Sequence, residues 1–241
     1  MIDGSLMTYG VIPAAGRGER FGGKVKKQFL ALCGRPVIVH TLIPFQASPW
    51  IDDIVCVAPQ EEIGALERLV TEYRLTKVKR VIPGGERRQE STQAALSLLE
   101  KEAAPGDIVL VHDGVRPLVT GALIGRVVQA AEKYGAAVAA FPVSDSLKEV
   151  SSEGLIRKTV SRENLWATQT PQAFRLDILA EAYRTAARDR FIGTDEAALV
   201  ERLGIPIHCV EGSPENIKIT TPSDLKLVEL LLHDRMEKGD S

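Results

Sequence analysis

Hydrophobic positions fall along this chain mostly in short continuous runs, at residues 9–15, 54–58, 78–82, 108–112, 136–141 and 207–210. Each run has the length of a strand, and amphipathic stretches separate most of them, an alternation that predicts an α/β fold. A strand that is apolar at successive positions offers both of its faces to hydrocarbon, so the expected architecture is a mostly parallel sheet with helices on both faces. Helix starts are marked as well. Pro36 and Pro59 suit first-turn positions, Thr120 suits a cap, and Thr194-Asp-Glu-Ala197 places acids at the positive end of a helix. A further helix is expected over residues 92–102.

Residues 142–172 interrupt this rhythm. Two strand-like stretches, 143–150 and 155–160, flank a polar turn at 151–154, which predicts a projecting hairpin. We therefore expect one domain over residues 1–241 with an inserted arm at about 142–168. A two-stranded hairpin is marginally stable alone, so the arm is expected to pack on a symmetry-related copy of the chain and make a homodimer.

Composition narrows the function. The 241 residues are 44% hydrophobic and 26% charged with a formal net charge of -2, and no apolar stretch approaches the roughly 20 residues of a membrane helix. Residues 1–9 lack a basic segment, so no secretory signal is expected and the cytoplasm is the expected compartment. Cys33, Cys56 and Cys209 are scattered without C-x-x-C spacing, which argues against a disulfide framework or a zinc site and makes all three expected packing residues. No basic stripe runs along the chain, so polymeric nucleic acid is not an expected partner.

Positive charge is instead concentrated in one place. Within residues 11–28, Arg17, Arg20, Lys24, Lys26 and Lys27 face only Glu19, and Gly16, Gly18, Gly22 and Gly23 interleave them. Glycine lets a backbone turn tightly and aim its N–H groups at anionic oxygens from close range. The segment is not a dinucleotide fingerprint, because Phe21 stands where the third small residue belongs. It is not a Walker A loop either, because Val25 replaces the magnesium-binding hydroxyl. A phosphate-binding loop outside both motifs is the reading we carry forward, against a turn of merely solvated charges.

Three further stretches carry chemistry. Val111-His-Asp-Gly-Val-Arg-Pro117 ends a strand on Asp113, which either binds a divalent cation such as Mg²⁺ or caps the next turn. His112 is expected to be packed rather than catalytic. Gly84-Gly-Glu-Arg-Arg-Gln-Glu-Ser91 either offers backbone groups to the edge of a base or is a simple strand-to-helix loop, and Asn216-Ile-Lys-Ile-Thr-Thr-Pro222 is expected to be a short strand with Lys218 turned away from the core and no acid near it in sequence that would neutralise it. The loops at 16–28, 84–91 and 113–117 all follow strands, so they are expected to converge at the carboxyl edge of the sheet. No G-x-S-x-G or H-E-x-x-H pattern occurs. Cations, backbone donors and a carboxylate are equipment for phosphoryl or nucleotidyl transfer.

In order, Pro13-Ala-Ala-Gly16 with Lys27-Gln28, Gly84-Gly85 with Arg88 and Ser91, Val111-His-Asp113 with Arg116-Pro117, Thr159-Val-Ser-Arg162 with Leu165-Trp166, Gln169-Thr-Pro-Gln172, Thr194-Asp-Glu-Ala197 and Asn216-Ile-Lys-Ile-Thr220 resemble the 2-C-methyl-D-erythritol 4-phosphate cytidylyltransferases, from about residue 8 to about residue 235. The resemblance implies a Rossmann-like, magnesium-dependent homodimer that joins CTP to 2-C-methyl-D-erythritol 4-phosphate and releases pyrophosphate, in the non-mevalonate route to isoprenoid precursors. It implies that Ala14, Ala15 and Gly16 line the CTP phosphates, that Arg20 and Lys27 contact them, and that Lys218 completes the cationic ring at the α-phosphate. Gly85, Ser91 and Gly114 would hold the cytidine, with Asp113 beside the magnesium and the ribose. Arg116, Ser146, Arg162 and Thr170 would bind the sugar phosphate, with Ser146 and Arg162 supplied by the neighbouring subunit's arm. Lys26 adds a second ammonium next to Lys27, so either could approach the phosphates. Competing readings are a cytidylyltransferase for another polyol phosphate such as ribitol 5-phosphate, an NAD-dependent oxidoreductase, and a nucleotide-sensing protein without catalysis.

Overall fold

The structure, a computed structural model, describes residues 6–15 and 26–238. Its elements in order are β1 (Thr8–Pro13), β2 (Ala31–Leu32), β3 (Arg35–Pro36), α1 (Val37–Ala47), β4 (Asp53–Ala58), α2 (Ile63–Glu72), β5 (Val78–Pro83), α3 (Arg88–Glu102) and β6 (Ile108–Val111). Then come α4 (Gly121–Tyr134), β7 (Ala136–Pro142), β8 (Leu147–Val150), β9 (Ile156–Val160), β10 (Trp166–Arg175), α5 (Leu176–Arg188), α6 (Glu196–Glu201), β11 (His208–Glu211) and α7 (Pro222–Lys238). All six expected strands are present, each within two residues of its expected ends.

A seven-stranded sheet runs in the order β11-β7-β10-β6-β1-β4-β5. Its apolar strands serve two cores at once. On one face Ile12, Ile54, Cys56, Ile108 and Leu110 meet Leu42 and Phe45 of α1, Leu66 of α2 and Ile124 and Val127 of α4. On the other, Val11, Val55, Val57, Val109 and Val111 meet Leu96 and Leu99 of α3, Leu179 and Tyr183 of α5 and Leu199 of α6. Successive residues of one strand therefore enter opposite layers, which is why the runs are continuous. A third, smaller cluster of Leu32, Val37, Val115, Leu118, Ile219 and Val228 lies under α7.

Three expectations need correction. Residues 166–175 form a long strand, β10, antiparallel to both β6 and β7 in the middle of the sheet, where no strand was expected. Its centre reads as a loop because Gln169, Thr170, Pro171 and Gln172 interrupt it, yet Gln169, Thr170 and Gln172 are buried. Their polar atoms are satisfied: the Gln172 amide donates to Asp195 Oδ2 at 2.9 Å and its carbonyl accepts from the Ala197 N–H. Next, residues 217–220 are not a strand. The Ile219 N–H nevertheless bonds Val115 O at 2.9 Å, so the two isoleucines pack inward and Lys218 faces the other way. Lastly, α3 begins at Arg88, earlier than expected, because the Glu90 carboxylate accepts the N–H groups of Glu86 and Arg87 at 2.8 and 3.2 Å and so satisfies the open end of the helix.

The hairpin is present. β8 and β9 pair antiparallel with Leu147 opposite Val160, and Gly154 takes a left-handed φ of 83° in the turn. The arm leaves the sheet where Pro142 and Trp166 pair, so residues 166–168 belong to β10 rather than to the arm. Val150, Leu155, Ile156, Leu165 and Trp166 are exposed there. Among the cysteines, Cys56 is buried and Cys33 half-buried, but Cys209, expected to be a packing residue, is exposed at the edge strand. Among the described residues no helix is long and apolar enough to cross a membrane.

Candidate active site

The described ends of the strand-end loops come together beyond β1, while residues 16–25 of the first lie outside the described residues. The Ala14 N–H donates to Val57 O at 2.7 Å, and the Gln28 amide donates to Ala14 O at 2.6 Å. Gln28, buried in a short 3-10 turn over Lys27–Phe29, thus ties the far end of the cationic loop back to the end of β1. Contact with the second loop is so close that a Cβ on Gly84 would lie 2.6 Å from both Ala15 Cβ and Ser91 Oγ. The third approaches similarly, since a Cβ on Gly114 would lie 2.8 Å from Ile38 Cδ1 and 3.2 Å from Ala14 Cβ. Ala14, Ala15, Gly84, Ser91 and Gly114 therefore form one packed floor at the end of β1.

Asp113 organises the charge beside that floor. Its Oδ1 accepts from Arg88 Nε at 2.9 Å, and its Oδ2 accepts from Arg116 Nε at 3.2 Å and from Lys218 Nζ at 2.9 Å. Its backbone N–H donates to Thr170 Oγ1 at 3.0 Å. Burial alone would raise the carboxyl's pKa, but Arg88, Lys218 and Arg116 outweigh it and hold the group well below the usual carboxylate range. Lys218, expected to have no neutralising acid, finds one through the fold. It is also the most accessible of the three cations, with 37% of its side chain exposed against 26% for Arg88 and 12% for Arg116. His112 is fully buried and packs 5.2 Å from the Phe45 ring. Burial pushes its pKa down to about 4, so it is neutral packing, as expected.

Behind the centre lies a residue that sequence reading passed over. Glu196 is fully buried and accepts from Arg88 Nη1 at 2.8 and 2.7 Å, from Thr92 Oγ1 at 3.1 Å and from Tyr183 OH at 3.1 Å. Arg88 is thus clamped between Glu196 and Asp113. The sequence marked Thr194-Asp-Glu-Ala197 as a helix start and as part of the family resemblance without giving Glu196 a role, and Asp195 does cap α6 by accepting from the Ala198 N–H at 3.0 Å. An acid placed directly before Ala197-Ala198-Leu199-Val200 was the available signal of a buried charge.

The paired lysines separate. Lys26 Nζ bonds Glu61 Oε1 at 2.6 Å, whereas Lys27 Nζ donates to Ile219 O at 3.0 Å. Lys27 therefore reaches the residue next to Lys218. Arg116 Nη1 donates to Asn216 O at 2.7 Å, and Asn216 Nδ2 donates to Thr170 O at 2.8 Å, which joins β10 to the Lys218 segment. Ser91 turns its hydroxyl onto Arg87 O at 3.2 Å. Ser146 and Arg162 sit exposed at the base of the arm, where Arg162 Nη1 bonds Ser144 O. No hydrogen bond or ion pair joins either to the Asp113 cluster among the described residues. Gly85 lies against Glu90. Gly16 and Arg20, with the rest of residues 16–25, lie outside the described residues.

Asp113 is ionised, as a magnesium ligand must be, but both of its oxygens are engaged by three cations, and Glu196 is committed to its own donors. This donor set does not fit a magnesium ion bound directly to Asp113. It fits a clamp that gathers positive charge.

An α/β sheet that gathers Arg88, Arg116 and Lys218 around Asp113 beyond the carboxyl end of β6 has the equipment of a nucleotidyltransferase-type protein. Residues 8–234 match the family model described as IspD: 2-C-methyl-D-erythritol 4-phosphate cytidylyltransferase. The chain belongs to that family. It is 46% identical over 231 residues to the 2-C-methyl-D-erythritol 4-phosphate cytidylyltransferase of Syntrophus aciditrophicus, covering 95% of this chain and 96% of the relative. It is 46% identical over 226 residues to that of Lysinibacillus sphaericus, covering 93% and 95%. The crystal structure of the enzyme from Thermus thermophilus superposes with a TM-score of 0.75 at 33% identity, covering 94% of this chain and 98% of that one.

The clamp makes a testable demand. Glu196→Gln removes the buried charge that fixes Arg88 while keeping its shape, and is expected to lower stability by on the order of 3 kcal/mol in urea unfolding and to lower kcat/KM. Unchanged values of both would show that Arg88 does not depend on Glu196.

Proposed function

We propose that this chain transfers CMP from CTP to 2-C-methyl-D-erythritol 4-phosphate, giving 4-diphosphocytidyl-2-C-methyl-D-erythritol and pyrophosphate in isoprenoid precursor biosynthesis. The observation that carries this reading is the pairing of Lys218 with Asp113 together with the bond from Lys27 to Ile219, the residue next to Lys218, in a chain of this family. The attacking group is a phosphate monoester, which is already anionic at neutral pH, so no general base is required. The obstacle is the mutual repulsion of two anions and the charge that builds up around the α-phosphorus.

Fixed cations remove that obstacle. Two unit charges 4 Å apart interact by about 4 kcal/mol at an effective dielectric near 20, and each 1.4 kcal/mol is about tenfold in rate. In this reading Arg20, Lys27 and Lys218 surround the α-phosphate, while Ala14, Ala15 and Gly16 line the phosphates. Gly85, Ser91 and Gly114 border the cytidine, and Asp113 holds the cations in register near the ribose. Arg116 and Thr170 face the sugar phosphate, joined by Ser146 and Arg162 from a partner's arm. The exposed apolar residues of the arm support a homodimer formed through it. Magnesium, which the family resemblance implies, would be held by phosphate oxygens and water and would offset phosphate charge. The cytoplasm is the compartment we propose.

Incubation with CTP, Mg²⁺ and a panel of polyol phosphates, followed by pyrophosphate release, tests the reading. Turnover is expected with methylerythritol phosphate, and preference for ribitol 5-phosphate would overturn it. Lys27→Ala and Lys218→Ala are each expected to lower kcat far more than they raise KM for CTP, because their contacts strengthen in the transition state. The opposite split in steady-state kinetics would discard these assignments. Arg162→Glu is expected to raise KM for the sugar phosphate and leave that for CTP nearly unchanged, which separate titration of each substrate reads directly.

A further inference from the structure

A second constellation of ligating side chains lies away from the Asp113 centre, at the outer edge of the small core under α7. The sulfur of Cys33, a carboxylate oxygen of Glu229 and a ring nitrogen of His233 all lie within 4.8 Å of one another. We propose that Cys33, Glu229 and His233 form a binding site for a borderline-soft divalent cation of the zinc type, with water as the fourth ligand.

The backbone presents these groups in a fixed arrangement. Cys33 occupies the turn between β2 and β3 with a φ of 45°, and the residue before it, Leu32, is buried in the small cluster. Glu229 follows Val228, which is buried in that same cluster. His233 stands one helical turn beyond Glu229 on α7, and i, i+4 neighbours share a helix face. Leu32 O is further held by a 2.7 Å contact with His40 Nε2. Both segments that carry ligands are therefore anchored by adjacent buried leucine and valine side chains, while the ligating atoms remain at the surface. The Cys33 thiol donates to the backbone carbonyl of Glu229 at 3.9 Å, which holds the β2–β3 turn against α7.

Ligand chemistry selects the ion. Tetrahedral zinc bound by sulfur, nitrogen and oxygen places its ligand atoms about 3.3–3.8 Å apart, so small rotations of half-buried and exposed side chains close the set. A thiolate with an imidazole suits zinc or cobalt and disfavours magnesium, which demands oxygen ligands. Binding releases the Cys33 thiol proton to solvent, and the thiolate and carboxylate then neutralise the divalent charge. The three positions are too far apart in sequence to form a local metal motif, which is why cysteine spacing argued against zinc. Occupancy would tie the turn that follows Lys27–Phe29 to the helix that follows Lys218, and so brace the two segments bearing the crevice lysines.

The test uses the untagged full chain, stripped of metal with EDTA and titrated with Zn²⁺ against a chromophoric indicator, and separately with Co²⁺ read by its thiolate-to-cobalt absorption. One ion per chain is expected, with a rise in Tm on loading. Cys33→Ser and His233→Ala are each expected to weaken binding at least about tenfold and to abolish the Tm rise, the sulfur absorption vanishing in Cys33→Ser. Cys209→Ser is expected to behave as wild type. Absence of stoichiometric binding, affinity unchanged in Cys33→Ser and His233→Ala, or loss of binding in Cys209→Ser instead would each overturn the site.

Discussion

One buried carboxylate holding three cations is the interaction on which the rest of the crevice depends. Like charges do not gather unaided. Arg88, Arg116 and Lys218 come from three separate segments of the chain, and Arg88 takes Oδ1 of Asp113 while Arg116 and Lys218 share Oδ2. The carboxylate is far from solvent, so the attraction is only weakly screened, and burial makes its loss costly. Asp113 itself is set by its place: it follows β6, its N–H is held by Thr170 of β10, and Gly114 next to it lets the loop approach Ala14. Sheet topology thus fixes the carboxylate, and the carboxylate fixes the cations.

The clamp also explains why the three cations differ in role. Arg88 is pinned from behind by Glu196, and Arg116 is tied to Asn216 O; both are structural on one side. Lys218 pairs with Asp113 and is the most exposed of the three. A flexible ammonium at the solvent edge of the cluster is the group best able to exchange a carboxylate oxygen for a phosphate oxygen. Lys27, bonded to the carbonyl of Ile219, moves with the same segment.

Much of this was legible from sequence because hydrophobic period reports burial directly. Continuous runs such as Ile108–Val111 could only be strands covered on both faces, and the loops after β1, β5 and β6 then had to open at one edge. β10 was not legible, because its burial is achieved by hydrogen-bonding Gln169, Thr170 and Gln172 rather than by apolar side chains, and polarity in a linear sequence reads as solvent exposure. For the same reason Glu196 was invisible as a clamp: a buried acid is recognisable only beside its donors, and Arg88, Thr92 and Tyr183 are distant in the chain. Lys218 was assigned correctly as facing away from the core, although not by virtue of a strand, since Ile219 is anchored by its N–H on Val115 O and by Lys27 on its carbonyl. Its partner Asp113 emerged only with the fold.

The most direct test of the central claim is a crystal structure of the chain with CTP bound, measured for the distances from Lys27 Nζ and Lys218 Nζ to the oxygens of the α-phosphate. The account predicts that both lie within hydrogen-bonding distance, with Lys218 drawn from its 2.9 Å contact with Asp113 toward the phosphate while Arg88 and Arg116 keep theirs. Both lysines pointing away from the α-phosphorus, with the Asp113 cluster unchanged, would contradict it.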